Sequence, residues 1–193
     1  MNGLLRAAIA AGLLILAACA GFGQKIEVEV EGQKAFLNGV IGSNALSQVQ
    51  DALLGHPEVR VLVLGDMPGS ADDEANLRLA RWVRAQGYNT ELTASSQIAS
   101  GAVDLFVAGV TRIGHCDAEV GVHSWSDGSG LEATDLPRDH GDHQLYLDYY
   151  AEMDVPAEFY WFTIEAAPAA DIYLMAAEEL NEYAVVTEPL TCP

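Results

Sequence analysis

Apolar and charged positions alternate strictly in Ile-Glu-Val-Glu-Val-Glu, residues 26–31, and that two-residue period predicts a half-exposed strand over Lys25–Glu31. Gly32-Gln33 marks a turn and Ala35-Phe36-Leu37 opens a second strand, so the two form a hairpin. The period then changes. After Ser43 or Asn44 as a cap, Leu46, Val49 and Leu53 fall on one face of a helix that reaches about Leu54 and stops at Gly55. Val59–Leu64 is apolar almost throughout, as a strand covered on both faces must be. Ser70 can cap the next helix, with Asp72, Asp73 and Glu74 in its first turn, Arg78, Arg81 and Arg84 further along, and Gly87 at its end. Ala75, Leu79, Trp82 and Val83 form its inner face.

Tyr88–Thr93 reads as a strand, and Ser100–Gly109 as a helix so apolar all round that it belongs inside the fold. Glu119–His123 is the next strand. Residues 124–141 are a polar loop, Asp142–Met153 an aromatic-rich helix, and a further helix runs from Pro156 through Ile164. A short extended piece at Asp171–Leu174, a small helix at Ala176–Tyr183 and a last strand at Ala184–Thr187 complete the chain. Strands and helices in alternation predict an α/β architecture with a mainly parallel sheet.

The first residues stand outside that pattern. Met1–Arg6 carries one positive charge, and Ala7–Ala18 is an apolar run too short to span a membrane. It ends in Leu16-Ala17-Ala18-Cys19, which resembles the lipobox of bacterial lipoproteins. That resemblance implies a signal peptide at 1–18, lipid on Cys19, a spacer at 19–24 and a folded domain at 25–193, anchored in the cell envelope and facing the periplasm. Ala20 after the cysteine favours the outer membrane. The formal net charge is −19, a surface that repels phosphate backbones and so argues against nucleic-acid binding. After Cys19 two cysteines remain, Cys116 and Cys192, an even pair that in an oxidising compartment suggests one disulfide.

The chemistry concentrates between Val61 and Trp125. An apolar strand enters the turn Pro68-Gly69, Ala99-Ser100-Gly101-Ala102 opens the buried helix, and the later strand ends on Val122-His123. This order resembles the proteolytic subunit of the Clp protease, in the Clp/crotonase superfamily. Weaker likeness continues from Asp171 through the stretch Ile-Tyr-Leu-Met-Ala-Ala-Glu-Glu-Leu. The resemblance implies a repeated β-β-α superhelical fold. It implies Ser100 as nucleophile, His123 as base, Asp171 as the acid that orients it, and Gly69 and Gly101 as backbone donors to an oxyanion. It also implies a peptide or small acyl substrate, no cofactor or metal, and assembly into homo-oligomers.

Three departures weigh against a simple transfer. Ser70 replaces the second glycine of the family's turn, Ser124-Trp125 follows the histidine, and residues 126–142 do not follow the family's pattern. An exported chain also has no cytoplasmic ATPase partner. A non-catalytic scaffold on the same fold is therefore the alternative to a serine hydrolase. A coenzyme A enzyme is disfavoured, because no basic patch marks a site for the cofactor's phosphates. Asp139-His140-Gly141-Asp142-His143 has the residue types of a metal site but reads as a solvated loop before a helix. Asp104 reads as a local polar partner, and the aromatic set from Tyr146 to Phe162 as core or a subunit contact.

Overall fold

The structure is a computed structural model and describes residues 25–192; the expected leader, the spacer and Cys19 lie outside the described residues. The hairpin forms as β1 (Ile26–Glu31) and β2 (Lys34–Gly39), antiparallel, with Val28 opposite Leu37. After α1 (Ala45–Leu53) the chain makes the same excursion three times. It passes through β3 (Val61–Leu64), β4 (Asp66–Met67) and α2 (Asp73–Gln86). It repeats this as β5 (Asn89–Glu91), β6 (Gln97–Ala99) and α3 (Gly101–Val107). The third pass is β7 (Arg112–Ile113) and β8 (Glu119–Val122), followed by α4 (Gly141–Glu152) and α5 (Ala157–Ala166). Each pass gives its first strand to one sheet, ordered β1-β2-β3-β5-β7. Its second strand goes to another sheet, β4-β6-β8, which is closed by β9 (Tyr173–Leu174). A last helix, α6, spans Ala177–Glu182.

All pairings between successive passes are parallel, and only the outer pairs β1–β2 and β8–β9 are antiparallel. The mainly parallel α/β architecture and the β-β-α superhelix are therefore as expected. The core lies between the sheets and the helices. Leu62 and Leu64 of β3 are wholly buried, and so are Leu79 and Val83 of α2 and Leu105, Phe106 and Val107 of α3. Each large apolar side chain contributes about 1.5–3 kcal/mol by leaving water, which fixes α3, and with it Ser100 at its entrance. Among the described residues no helix is long and apolar enough to cross a membrane.

Two local expectations are corrected. Ser70 does not cap α2. Asp72 does, its carboxylate accepting the Ala75 N–H at 2.9 Å, while the Ser70 hydroxyl donates to Asp73. Residues 184–187 do not form a strand. Ala184 takes a left-handed φ of 53°, and the carbonyls of Ala184 and Val185 turn inward to the buried guanidinium of Arg112. The same guanidinium donates to the carbonyls of Val107, Gly109 and Met153, so one cation ties the end of α3, the end of α4 and the C-terminal segment together. Burial among carbonyls lowers Arg112 to about 10, which leaves it charged at neutral pH.

The C-terminal tail then returns to residues 114–116, with Thr191 N–H on the Gly114 carbonyl and Cys116 N–H on the Thr191 carbonyl. This places Cys116 and Cys192 with Cα atoms 5.2 Å apart, inside the range of a disulfide.

Candidate functional site

Ser100 is the single residue between β6 and α3, and its backbone sits at φ 54°, ψ −131°. A side chain in that region is strained by about 1–3 kcal/mol and persists only where its surroundings hold it. Several contacts do so here. The Ser100 N–H donates to the Gly121 carbonyl of β8 at 2.9 Å, and its carbonyl accepts the Val103 N–H at 2.8 Å. Buried Asn76 of α2 donates to the Gly101 carbonyl at 2.7 Å. The serine side chain makes no capping bond to α3. A cap would use the hydroxyl to satisfy the helix; this geometry presents it instead, as in the sharp strand-to-helix elbows that expose serine nucleophiles.

Gly69 and Gly101 flank the elbow. Gly69 has φ 133°, and a β-carbon there would stand 2.9 Å from Ser100 Cβ and 3.4 Å from Ser100 Oγ. The backbone of the Pro68-Gly69 turn is thus in direct contact with the serine. Gly101, the first residue of α3, lies where a β-carbon would run into the side chains of Ser70 and Asn76. Ser70, the departure from the family's turn, fills the space that Gly101 leaves, and its hydroxyl donates to Asp73 Oδ1 at 2.5 Å. Neither the Gly69 nor the Gly101 N–H has an acceptor among the described residues.

His123 follows the last residue of β8 and is half-buried beside the same cleft. Its Nδ1 lies 2.7 Å from the carbonyl of Ser124. A carbonyl can only accept, so Nδ1 carries the proton and Nε2 of the neutral ring holds the lone pair. Ser124 is itself fixed, fully buried with its N–H on the Ala167 carbonyl at 2.8 Å.

Asp171 is not brought to the ring. It is exposed, and its Oδ1 accepts the N–H of Ile172 in a local turn. The pairing of β8 with β9 carries the 171–174 segment alongside the histidine strand, but the group that holds Nδ1 is a backbone carbonyl rather than the expected carboxylate.

Ser100, Gly101 and His123 open on one narrow cleft with a free volume of about 50 Å³. Val103, Val122 and Ile164 line it, and Trp125, Tyr146, Tyr150 and Tyr160 form its aromatic wall. Tyr146 stacks on Tyr160 at 5.6 Å and 9°, and Trp125 on Tyr146 at 6.2 Å and 17°. The Trp125 indole donates to Tyr160 Oη, which in turn meets Nδ1 of buried His143 at 2.6 Å. Buried His143 therefore supports this wall from behind, through Tyr160. His140 caps α4 by accepting the Asp142 N–H. The pair that resembled metal ligands is thus divided between two structural tasks, and no group of three metal-ligating side chains exists among the described residues.

The sequence reading missed Asp104 as a site residue. It lies on α3, four residues after Ser100, and lines the same cleft. Its Oδ1 accepts the Tyr150 hydroxyl at 2.6 Å, and its backbone carbonyl accepts that of Tyr149. Burial pushes its carboxyl up to about 7; the Tyr150 bond opposes that rise and the nearby Asp73 carboxylate adds to it. The available signal was an acid inside a helix otherwise apolar all round, four residues after the candidate nucleophile.

No known family model matches the chain, and no curated protein does. Solved structures do. An enoyl-CoA hydratase from Polaromonas sp. JS666 superposes with a TM-score of 0.53 at 14% identity, over 86% of this chain and 70% of that one. A methylmalonyl CoA decarboxylase gives 0.51 at 14% identity, over 88% of this chain and 66% of that one. This chain thus spans about two thirds of their lengths. The likeness establishes architecture: the chain has a crotonase-like fold.

Proposed function

We propose that the protein is a serine hydrolase acting on peptides or small acyl compounds through a Ser100–His123 dyad. The observation that carries this reading is the strained elbow at Ser100, pressed against Gly69 and opening on the cleft that His123 borders. Ser100 Oγ attacks the substrate carbonyl carbon and its proton passes to His123 Nε2. The Ser124 carbonyl, bonded to Nδ1–H, holds the ring and supports the imidazolium. The N–H groups of Gly69 and Gly101 receive the oxyanion, an interaction worth about 3–4 kcal/mol per donor in comparable sites. Nε2–H protonates the leaving group as the carbonyl–heteroatom bond breaks. Water then attacks the acyl-enzyme, gives its proton to Nε2, and Ser100 departs reprotonated.

Hydrolysis of an activated ester tests the assignment. Ser100→Ala and His123→Ala should each abolish turnover while staying folded, whereas Asp171→Asn should retain it. An orienting acid at position 171 would instead cost about 10⁴ in kcat, and that loss would restore the triad. A second reading rests on the names of the structural neighbours, a CoA hydratase and a CoA decarboxylase, which would make this an acyl-thioester enzyme. The cleft has no lysine or arginine to meet CoA phosphates and carries Asp73 and Asp104 instead, which favours the hydrolase. Turnover of short acyl-CoA without simple-ester hydrolysis would reverse that order.

Export belongs to the same proposal. Leu16-Ala17-Ala18-Cys19 supports lipidation at Cys19, and a periplasm-facing anchor would give the enzyme its substrates without an ATPase. Labelled palmitate incorporated into the full chain, and lost in Cys19→Ala, is the expected result.

A further inference from the structure

We propose that this cleft selects substrates bearing a primary ammonium group, of the lysine type, with Asp104 as the counter-ion. The proposal rests on the hydrolase reading and names the substrate class of the same site. Asp104 lines the cleft, and the Tyr150 hydroxyl is the side-chain donor to its carboxylate, on Oδ1, which leaves Oδ2 to accept from a ligand. Asp73, at the rim, takes the hydroxyls of Ser70 and Tyr146. Every charge lining the cleft, His123 aside, is therefore acidic, and the walls between are apolar and aromatic.

Size narrows the ligand further. A water needs roughly 10–15 Å³ of such volume, so about 50 Å³ accommodates the last few heavy atoms of an unbranched amine and not a bulky ring. Placement fits as well. Asp104 follows Ser100 by four residues and both line the cleft, so an amine on the acyl side of a carbonyl held at Ser100 enters the space that Asp104 borders.

The groups that face Asp104 explain why its carboxylate would take a cation. Tyr149 and Tyr150 from α4 bond to Asp104, and the other ionisable groups around its cleft are Asp73 from α2, Tyr146 from α4, Tyr160 from α5 and His123 beyond β8. None but a protonated His123 supplies positive charge, and a buried carboxylate without a counter-ion is held near neutrality by its proton. An ammonium group replaces that proton.

Two measurements on the purified full chain separate this inference from the hydrolase reading. In the first, n-butylammonium and n-butanol are titrated against wild type, Ser100→Ala and Asp104→Asn, following tryptophan fluorescence. Butylammonium should bind wild type and Ser100→Ala alike, bind Asp104→Asn at least tenfold more weakly, and outcompete butanol. Equal binding of both compounds, or full-strength butylammonium binding by Asp104→Asn, overturns the proposal whatever the catalytic result. In the second, matched esters of acyl-lysine and acyl-norleucine are hydrolysed. A lysine preference of tenfold or more in kcat/KM should fall to about one in Asp104→Asn. Hydrolysis without a lysine preference overturns the selectivity and leaves the hydrolase, whereas ammonium binding with no hydrolysis at all removes the hydrolase and keeps the site.

Discussion

Replacing Ser100 with glycine and with alanine separates two roles that one serine can play. If Ser100 were an ordinary helix cap, either change would remove its bond; alanine would cost about 1 kcal/mol and glycine only a few tenths. The structure shows no such bond and a backbone at φ 54°, ψ −131°. Alanine keeps the strain and removes only a hydroxyl, so its stability should stay within about 0.5 kcal/mol of wild type, as for a change that touches no stabilising contact. Glycine tolerates this conformation and releases about 1–3 kcal/mol of strain, against which its extra chain entropy costs about 0.5–1 kcal/mol. Ser100→Gly should therefore exceed Ser100→Ala by about 1 kcal/mol, or about 2–4 °C in Tm for a domain of this size. Equilibrium urea unfolding, followed through Trp82, Trp125 and Trp161, measures the difference directly. Both variants should lack activity. A destabilised Ser100→Ala with Ser100→Gly no more stable than wild type would identify a cap and remove the strain argument.

Other variants probe the supports. Gly69→Ala places a β-carbon 2.9 Å from Ser100 Cβ at a φ of 133°, so it should lose about 1–3 kcal/mol and nearly all turnover; near-wild-type kcat would take Gly69 out of the site. Asp104→Asn should gain stability over wild type at pH 8 but not at pH 4. The native carboxyl titrates near 7 rather than 3.8, so the folded state binds more protons between those values and stability falls as pH rises through them; melting curves at the two pH values read this out. Arg112→Ala removes the donor to five carbonyls at the junction of α3, α4 and the C-terminal segment, of which, among the described residues, the Gly109 carbonyl alone keeps a second donor, Arg84, and should cost at least about 3 kcal/mol by urea unfolding.

The alternation in β1, the apolar run in β3 and the all-round apolarity of α3 were legible because each reflects burial of a whole element. Ser100, Gly101 and His123 share one cleft, with Gly69 against Ser100, because the superhelix returns each pass to the same place; the roles given to them belong to the proposal. The short strands were not legible. β4, β6 and β7 are two or three residues long, too short for any period, and parallel neighbours rather than their own composition hold them. Asp171 looked like a triad member because the chain around it has the right residue types. Which oxygen reaches a histidine depends on one peptide's orientation, and here the Ser124 carbonyl holds that position. Asp104 stayed hidden for a related reason: its significance comes from Tyr150 and Asp73, which stand 46 and 31 residues away in sequence.

The most direct measurement is covalent labelling of the purified full chain with a fluorophosphonate, followed by peptide mass spectrometry. The account predicts one adduct per chain, on Ser100, absent in Ser100→Ala, strongly slowed in His123→Ala and undiminished in Asp171→Asn. A folded wild-type chain that takes no label, or takes it on a serine other than Ser100, would contradict the central claim and leave the crotonase-like fold without the hydrolase.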